Sequence, residues 1–277
     1  MVVLTALRSA LAGLARNPVL FVVAAALALF QLPQLAAQAL GPAAASVVSA
    51  LFSLASLVVV PFFQAGLLGM ADEALDGRTR AGRFLAAGRE HYVAMLVAYL
   101  LLLAVLFVFW IVALIGGLVF AVFAFGSGGS VFGDPALLAV AGMLVLVAVV
   151  VYLGTVFFVQ FYGQAIVVED LGAIDGYRRS VRLVRRNLVP TLGYSLLAWT
   201  AGLGFGAVAA VASLLLSTPP AAMPSLPQVS TGAAVVLGVA VVVLTALFSA
   251  FFMTFSVAFY RGIASREAGS DAAQAAD

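Results

Sequence analysis

Six long apolar runs, separated by short polar segments, organise the chain. They are Pro18–Leu40, Ala43–Met70, His91–Phe125, Pro135–Val168, Leu188–Leu216 and Val229–Tyr260, and none contains Asp, Glu, Lys or Arg. A bilayer core of about 30 Å is crossed by about 20 apolar residues in a helix, so each run is long enough to span it. Backbone groups in hydrocarbon must be satisfied within their own segment, and the runs lack the alternation of a barrel strand. The pattern therefore predicts six helices. A run of more than about 30 residues would extend about 45 Å, so the longest must tilt, kink or project beyond the hydrocarbon. Pro61 and Gly116–Gly117 are the expected kinks.

The connections fall into two kinds. Gly41–Pro42, Gly126–Asp134 and Ser217–Gln228 carry no basic residue. Met1–Asn17, Ala71–Glu90, Glu169–Asn187 and the segment from Arg261 onward hold 2, 4, 5 and 2 arginines, which accounts for all 13 basic residues of the chain. Because Lys and Arg concentrate in cytoplasmic loops, both termini are expected inside, in the cytoplasmic membrane. The expected architecture is all-α: one polytopic domain over 1–262 with six transmembrane helices, cytoplasmic amphipathic helices, and a polar tail over 263–277 without structure of its own. Residues 1–39 could be read as a signal peptide cut after Ala37-Gln38-Ala39. The leader before the apolar run is long for that, and retention is the expectation.

Composition narrows the functional classes. Hydrophobic residues make up 65% of the chain, charged residues 9%, and mean hydropathy is +1.22, which leaves nothing to surface a soluble catalytic domain. There is no cysteine and a single histidine, His91, so disulfides, thiolate sites and multi-histidine metal sites are excluded. No metal, cofactor or nucleic-acid module is expected. The pI of about 9.2 comes from arginines beside the bilayer, so anionic membrane lipids are the expected partners. Another membrane protein or a second copy of the chain is the alternative partner.

An internal repeat is also visible. Residues 4–17 (LTALRSALAGLARN) match residues 174–187 (IDGYRRSVRLVRRN) without a gap, and a weaker match in the middle loop suggests three parallel units at about 1–70, 74–168 and 173–262. Each reads as an amphipathic helix followed by a transmembrane hairpin, so the inverted repeats of many secondary transporters are not seen. Spacing places Ile174, Tyr177, Val181, Val184 and Leu188 on one stripe, flanked by Arg178, Arg182, Arg185 and Arg186. These four arginines are the candidate contacts to lipid headgroups or to a partner.

Two acidic pairs, Asp72-Glu73 and Glu169-Asp170, sit where the second and fourth spans end. Carboxylates there oppose the helix dipole and need partners; arginines of the following amphipathic helix would supply them and staple that helix to the bundle. A cation site or gate is the alternative. Within the spans, Gln31, Gln34 and Gln38 share a face, and Gln64, Gln160 and Gln164 lie near the inner ends of the second and fourth. They predict either interhelical hydrogen bonds, worth about 0.6–2 kcal/mol each, or a polar cavity for a neutral substrate. Gly66, Gly69 and Gly202-x-Gly204-x-Gly206 predict close helix approach. His91, beside Tyr92, reads as an interfacial anchor without partners.

The segment from Phe161 to Asn187 ends a span in Glu169-Asp170 and continues through Ala173 to Arg179-Ser180-x-x-Leu183. It resembles the membrane domain fused to some bacterial glycerophosphodiester phosphodiesterases, and stand-alone haloarchaeal membrane proteins of unknown function. That resemblance implies a six-helix membrane fold. In the enzyme family hydrolysis belongs to a separate soluble barrel, for which this chain has no counterpart. The expectation is a non-enzymatic, membrane-organising or partner-binding protein. Transport of a neutral or lipid-like substrate is the alternative, and a lipid-modifying enzyme using Asp72, Glu73, Glu169 and Asp170 comes third.

Overall fold

The structure is a computed structural model that describes residues 2–30, 42–126, 135–217 and 231–274. Every regular element among them is a helix: α1 (Val2–Arg16), α2 (Val19–Phe30), α3 (Pro42–Asp76), α4 (Ala81–Glu90), α5 (Tyr92–Gly126), α6 (Pro135–Val159), α7 (Tyr162–Val168), α8 (Ala173–Arg186), α9 (Leu188–Ser217) and α10 (Thr231–Gln274). Five helical segments are long and apolar enough to cross a membrane, and a sixth joins them if α1 and α2, bent by 89° at Asn17–Pro18, form one span. Each connection rich in arginine folds into a helix of its own or into the terminal turns of α10.

The expected kinks do not interrupt their helices. Pro61 lies inside α3 and Gly116–Gly117 inside α5, both continuous. The fourth span breaks instead at Gln160–Phe161, between α6 and α7. There Ser180 of α8 stands in for the missing helical bonds: its hydroxyl accepts the Phe161 N–H at 3.1 Å and donates to the Phe158 carbonyl at 2.9 Å. A freed backbone group in an apolar setting needs such a partner.

Packing is concentrated at the arginine-bearing end. Ala65, Leu67, Leu68, Met70 and Ala71 of α3, Met95 and Ala98 of α5, Phe161, Ala165 and Ile166, and Phe255, Phe259, Tyr260 and Ile263 of α10 are buried. They form three clusters joined in pairs, the first and second by Leu75 and Val168, the first and third by Phe251, and the second and third by Met253. Towards the opposite end most described side chains are exposed: no residue of α6 is buried, and Phe107, Trp110, Leu114 and Leu118 of α5 are largely free, with the small Ala124 and Ala212 as buried exceptions. Each short helix leans on a long one or its continuation, α4 along α3, α8 along α7, and α1 along α10.

The chain after residue 262 continues α10 as helix through Gln274, with Ile263 fully buried and Glu267 only 7% exposed. The tail reads as polar in sequence, but Ile263 and Glu267 are four apart and share a face.

Candidate functional site at the arginine-bearing end

α10 delivers consecutive residues to the two acidic pairs. The Tyr260 hydroxyl donates to Glu169 at 2.6 Å, and Arg261 donates through Nε to Asp72 at 2.7 Å and through its two terminal nitrogens to Asp76 at 2.7 and 2.9 Å. Arg179 of α8 grips both oxygens of Glu169 at 2.8 and 3.1 Å and also pairs with Glu267, which Arg186 reaches at 2.8 Å. Tyr260, Glu169, Arg179, Glu267 and Arg186 thus form one chain of charge-assisted bonds tying α7, α8 and α10 together. Burial works against the Arg179 cation, but its bonds to Glu169 and Glu267 outweigh it and hold the guanidinium charged.

Glu169 is met by an arginine of the following helix, whereas the other three acids have different neighbours. Asp72 pairs with the distant Arg261, Glu73 accepts the Thr79 hydroxyl at 2.6 Å, and Asp170 lies 3.5 Å from Nδ1 of His91. The physical reason is reach: α4 packs along α3 through Gly66 and Gly69, which directs Arg83 towards Glu90 at 3.6 Å instead. His91, expected to stand without partners, is 5% exposed and sits between Asp170 and Glu90, the latter 3.8 Å from Nε2. Asp170 adopts a left-handed backbone, φ 51°, a conformation that short polar side chains tolerate better than most. Asn17 is a fastener with no signal in the sequence. Its amide donates to the carbonyls of Gly13 and Gly77 at 2.8 and 2.9 Å and accepts the Thr79 N–H at 2.7 Å, welding the α1–α2 bend to the end of α3.

Gln31, Gln34 and Gln38 lie outside the described residues. Gln160 and Gln164 pair with nearby polar groups. Gln164 donates to Ser256 at 2.9 Å, and Gln160 donates to the Phe157 carbonyl at 2.8 Å and accepts from Ser195 at 3.1 Å. These are interhelical and local bonds of modest strength.

α8 carries the four candidate arginines, and it divides into sectors. Ala173, Gly176, Ser180, Leu183 and Val184 are buried against the bundle. The predicted apolar stripe is rotated from this face: Ile174 and Leu188 are 58% and 44% exposed, and Tyr177 and Val181 are half-buried. Close approach selects the small residues for the inner face. A Cβ on Gly176 would lie 2.7 Å from Ile166 and 3.2 Å from the Tyr162 carbonyl. The Tyr177 ring stacks on Tyr162 and its hydroxyl donates to the Ala98 carbonyl at 2.6 Å, and burial pushes its phenol well above the usual range.

Arg178, Arg182 and Arg185 form the next sector, within about 60° of one another at about 100° per residue. Arg178 has only the exposed Asp175 at 3.4 Å, Arg185 lies over the Phe158 ring at 5.9 Å, and Arg182 has no carboxylate partner among the described residues. Arg186 is the exception among the four, because it is drawn to Glu267. Together with Tyr177 and Val181 the four arginines line an open groove. Their geometry suits phosphate or carboxylate anions approaching from the exposed side. No group of three or more His, Cys, Asp or Glu that could hold a metal ion occurs among the described residues.

No curated protein and no solved structure matches the chain, so nothing beyond the residues themselves links it to the glycerophosphodiester phosphodiesterases. A domain of unknown function, DUF7847, matches residues 1–263, and its match takes in every fastener from Asn17 to Arg261; this integral membrane protein belongs to that family.

Proposed function

We propose that the protein is a non-enzymatic, membrane-organising component whose α8 arginines hold anionic lipid headgroups at the cytoplasmic face, with both termini on that side. The observation that carries this reading is the division of labour along α8. Arg179 and Arg186 are committed to buried Glu267, whereas Arg178, Arg182 and Arg185 border the apolar side chains Ile174, Tyr177 and Val181 on the outer side of the helix. An apolar sector rimmed by guanidinium groups with little carboxylate of their own suits a helix lying at the depth of lipid phosphates. Each such arginine adds about 1 kcal/mol of attraction to an anionic surface.

The packing of the short helices is compatible with a threefold repeat: α4 leans on α3, α8 on α7 and α1 on α10. Three repeat units related in this way would close into a ring, which favours a scaffold built to hold its shape. Transport through glutamines has less support, because Gln160 and Gln164 spend their polar groups on neighbours. The acids as catalysts have less still, since Asp72, Glu73 and Glu169 are all engaged.

The test compares wild type with the Arg178→Gln/Arg182→Gln/Arg185→Gln variant by native mass spectrometry after exchange into mixed anionic and zwitterionic lipid. Retention of anionic lipid by wild type and its loss in the variant is the expected result. Equal retention by both would sink the assignment.

A further inference from the structure

Building on the headgroup reading of α8, we infer that its arginine face is a site for a lipid bearing two phosphates in one headgroup, in preference to two separate monophosphate lipids.

The argument starts from spacing. Arg178, Arg182 and Arg185 are four and three residues apart, so their Cα atoms step about 6 Å and then about 4.5 Å along the helix axis on one face. Three guanidinium groups in one such row repel one another, and the neutralising carboxylates are elsewhere: Glu169 and Glu267 serve Arg179 and Arg186, and Asp175 touches only Arg178 at an exposed 3.4 Å. The row therefore carries a local excess of positive charge, with no described carboxylate against Arg182 or Arg185. One phosphodiester engages one or two forked guanidinium groups. Two phosphodiesters joined by a short bridge would satisfy all three, and the second binds at high effective concentration once the first is in place. Two monophosphate lipids would each lose their own freedom of motion.

The surroundings match such a lipid. The groove that the arginines line has Tyr177 and Val181 as its apolar members, and Ile174, one turn before Arg178, is exposed. Hydrocarbon chains descending from the headgroup would pass over these residues. The Tyr177 ring is fixed by its stack on Tyr162 and by its bond to Ala98, so this wall of the groove is preformed. Arg185 is likewise steadied over Phe158. Preformed walls lower the ordering cost of binding.

The experiment uses the full chain in neutral-detergent micelles, titrated with cardiolipin, with phosphatidylglycerol at twice the molar amount so that phosphate is equal, and with soluble pyrophosphate. Lipid retention is read by native mass spectrometry and stabilisation by thermal unfolding. We expect a one-to-one cardiolipin complex at a concentration at least about tenfold below that needed for phosphatidylglycerol, as one added phosphate contact of about 1.4 kcal/mol implies. Arg182→Gln should abolish the preference, and Arg182→Lys, which keeps the charge but not the fork, should reduce it. Equal response to the two lipids at matched phosphate would overturn the two-phosphate site and leave the headgroup reading standing. No response to either lipid in wild type would remove both. Stabilisation by pyrophosphate equal to that by cardiolipin would overturn the lipid as the ligand.

Discussion

Replacing Glu267 by Gln tests whether the end of α10 is fastened to the site. Glu267 is 5% exposed at its side chain and meets two guanidinium groups, Arg179 at 20% and Arg186 at 52% exposure. Hydrogen bonds to charged groups contribute about 1.5–3 kcal/mol net, and neutral ones about 0.5–1.5. Gln keeps the shape and one acceptor, so each bond loses about 1 kcal/mol on that scale. The Arg186 share shrinks towards zero because that side chain is half in solvent. Arg179 retains its two bonds to Glu169, so no isolated buried cation is created. The expected loss is about 1–2 kcal/mol for Glu267→Gln and about 2–3 for Glu267→Ala, which leaves a donor of Arg179 unmet. Arg186→Gln should cost less than about 0.5 kcal/mol. Reversible unfolding in mixed micelles, with the three variants compared against wild type, measures these differences. If Glu267→Gln lies within about 0.5 kcal/mol of wild type, like an ordinary surface change, then the Arg179–Glu267 bond is not holding the tail and the expectation of a free polar tail stands.

Gly69→Ala places a Cβ 2.3 Å from the Cβ of Ala87, so α4 must lift from α3; unfolding should show a loss of about 1–3 kcal/mol, largely restored by adding Ala87→Gly. Thr191 is fully buried and its hydroxyl has no hydrogen-bond partner among the described residues, so Thr191→Val should be neutral or stabilising by about 1 kcal/mol in the same assay. Orientation is open to single-cysteine labelling, since the chain has no cysteine of its own. Arg78→Cys should react with an impermeant maleimide only in inverted vesicles and Ser130→Cys only in intact cells; the reverse pattern would invert the topology.

The helices are legible in the sequence because a bilayer imposes a length rule on apolar runs, and five of the six runs appear as continuous or once-broken long helices. The breaks are not legible. Pro61 is a better candidate than Gln160–Phe161 by residue type, yet a side chain from 19 residues further along, Ser180, decides where the fourth span opens. The motif of Glu169, Arg179, Ser180 and Leu183 is visible as a pattern, and its geometry is that of a fastener: one ion pair, one backbone cap and one fully buried leucine. Glu267 and Asn17 escape a reading of the sequence for opposite reasons. Glu267 sits in a stretch whose alanines, serine and acids look solvated, and only its register with Ile263 marks it. Asn17 looks like a helix end, and its contact with Thr79 spans 62 residues.

The same physics explains why the molecule is fastened at one end and open at the other. Between helices in hydrocarbon, an apolar side chain gains little by exchanging lipid for another apolar side chain, so length and hydropathy alone do not make spans pack. What distinguishes a neighbour from lipid is a hydrogen bond, an ion pair or a backbone approach closer than lipid allows. Among the described residues the paired carboxylates and their arginines lie at one end, where Gly66, Gly69, Gly88 and Gly176 also leave no room for a Cβ. A Cβ added at Gly202, Gly204 or Gly206 would meet no described atom of a neighbouring helix within 4 Å, so these small residues, expected to bring helices together, do not do so within one copy, and the same space is open at Gly116 and Gly117. Charge placement along the sequence therefore sets the end at which the described helices cohere. A substitution that adds bulk should be felt according to its distance from the arginines, and hardly at all according to how apolar its surroundings are.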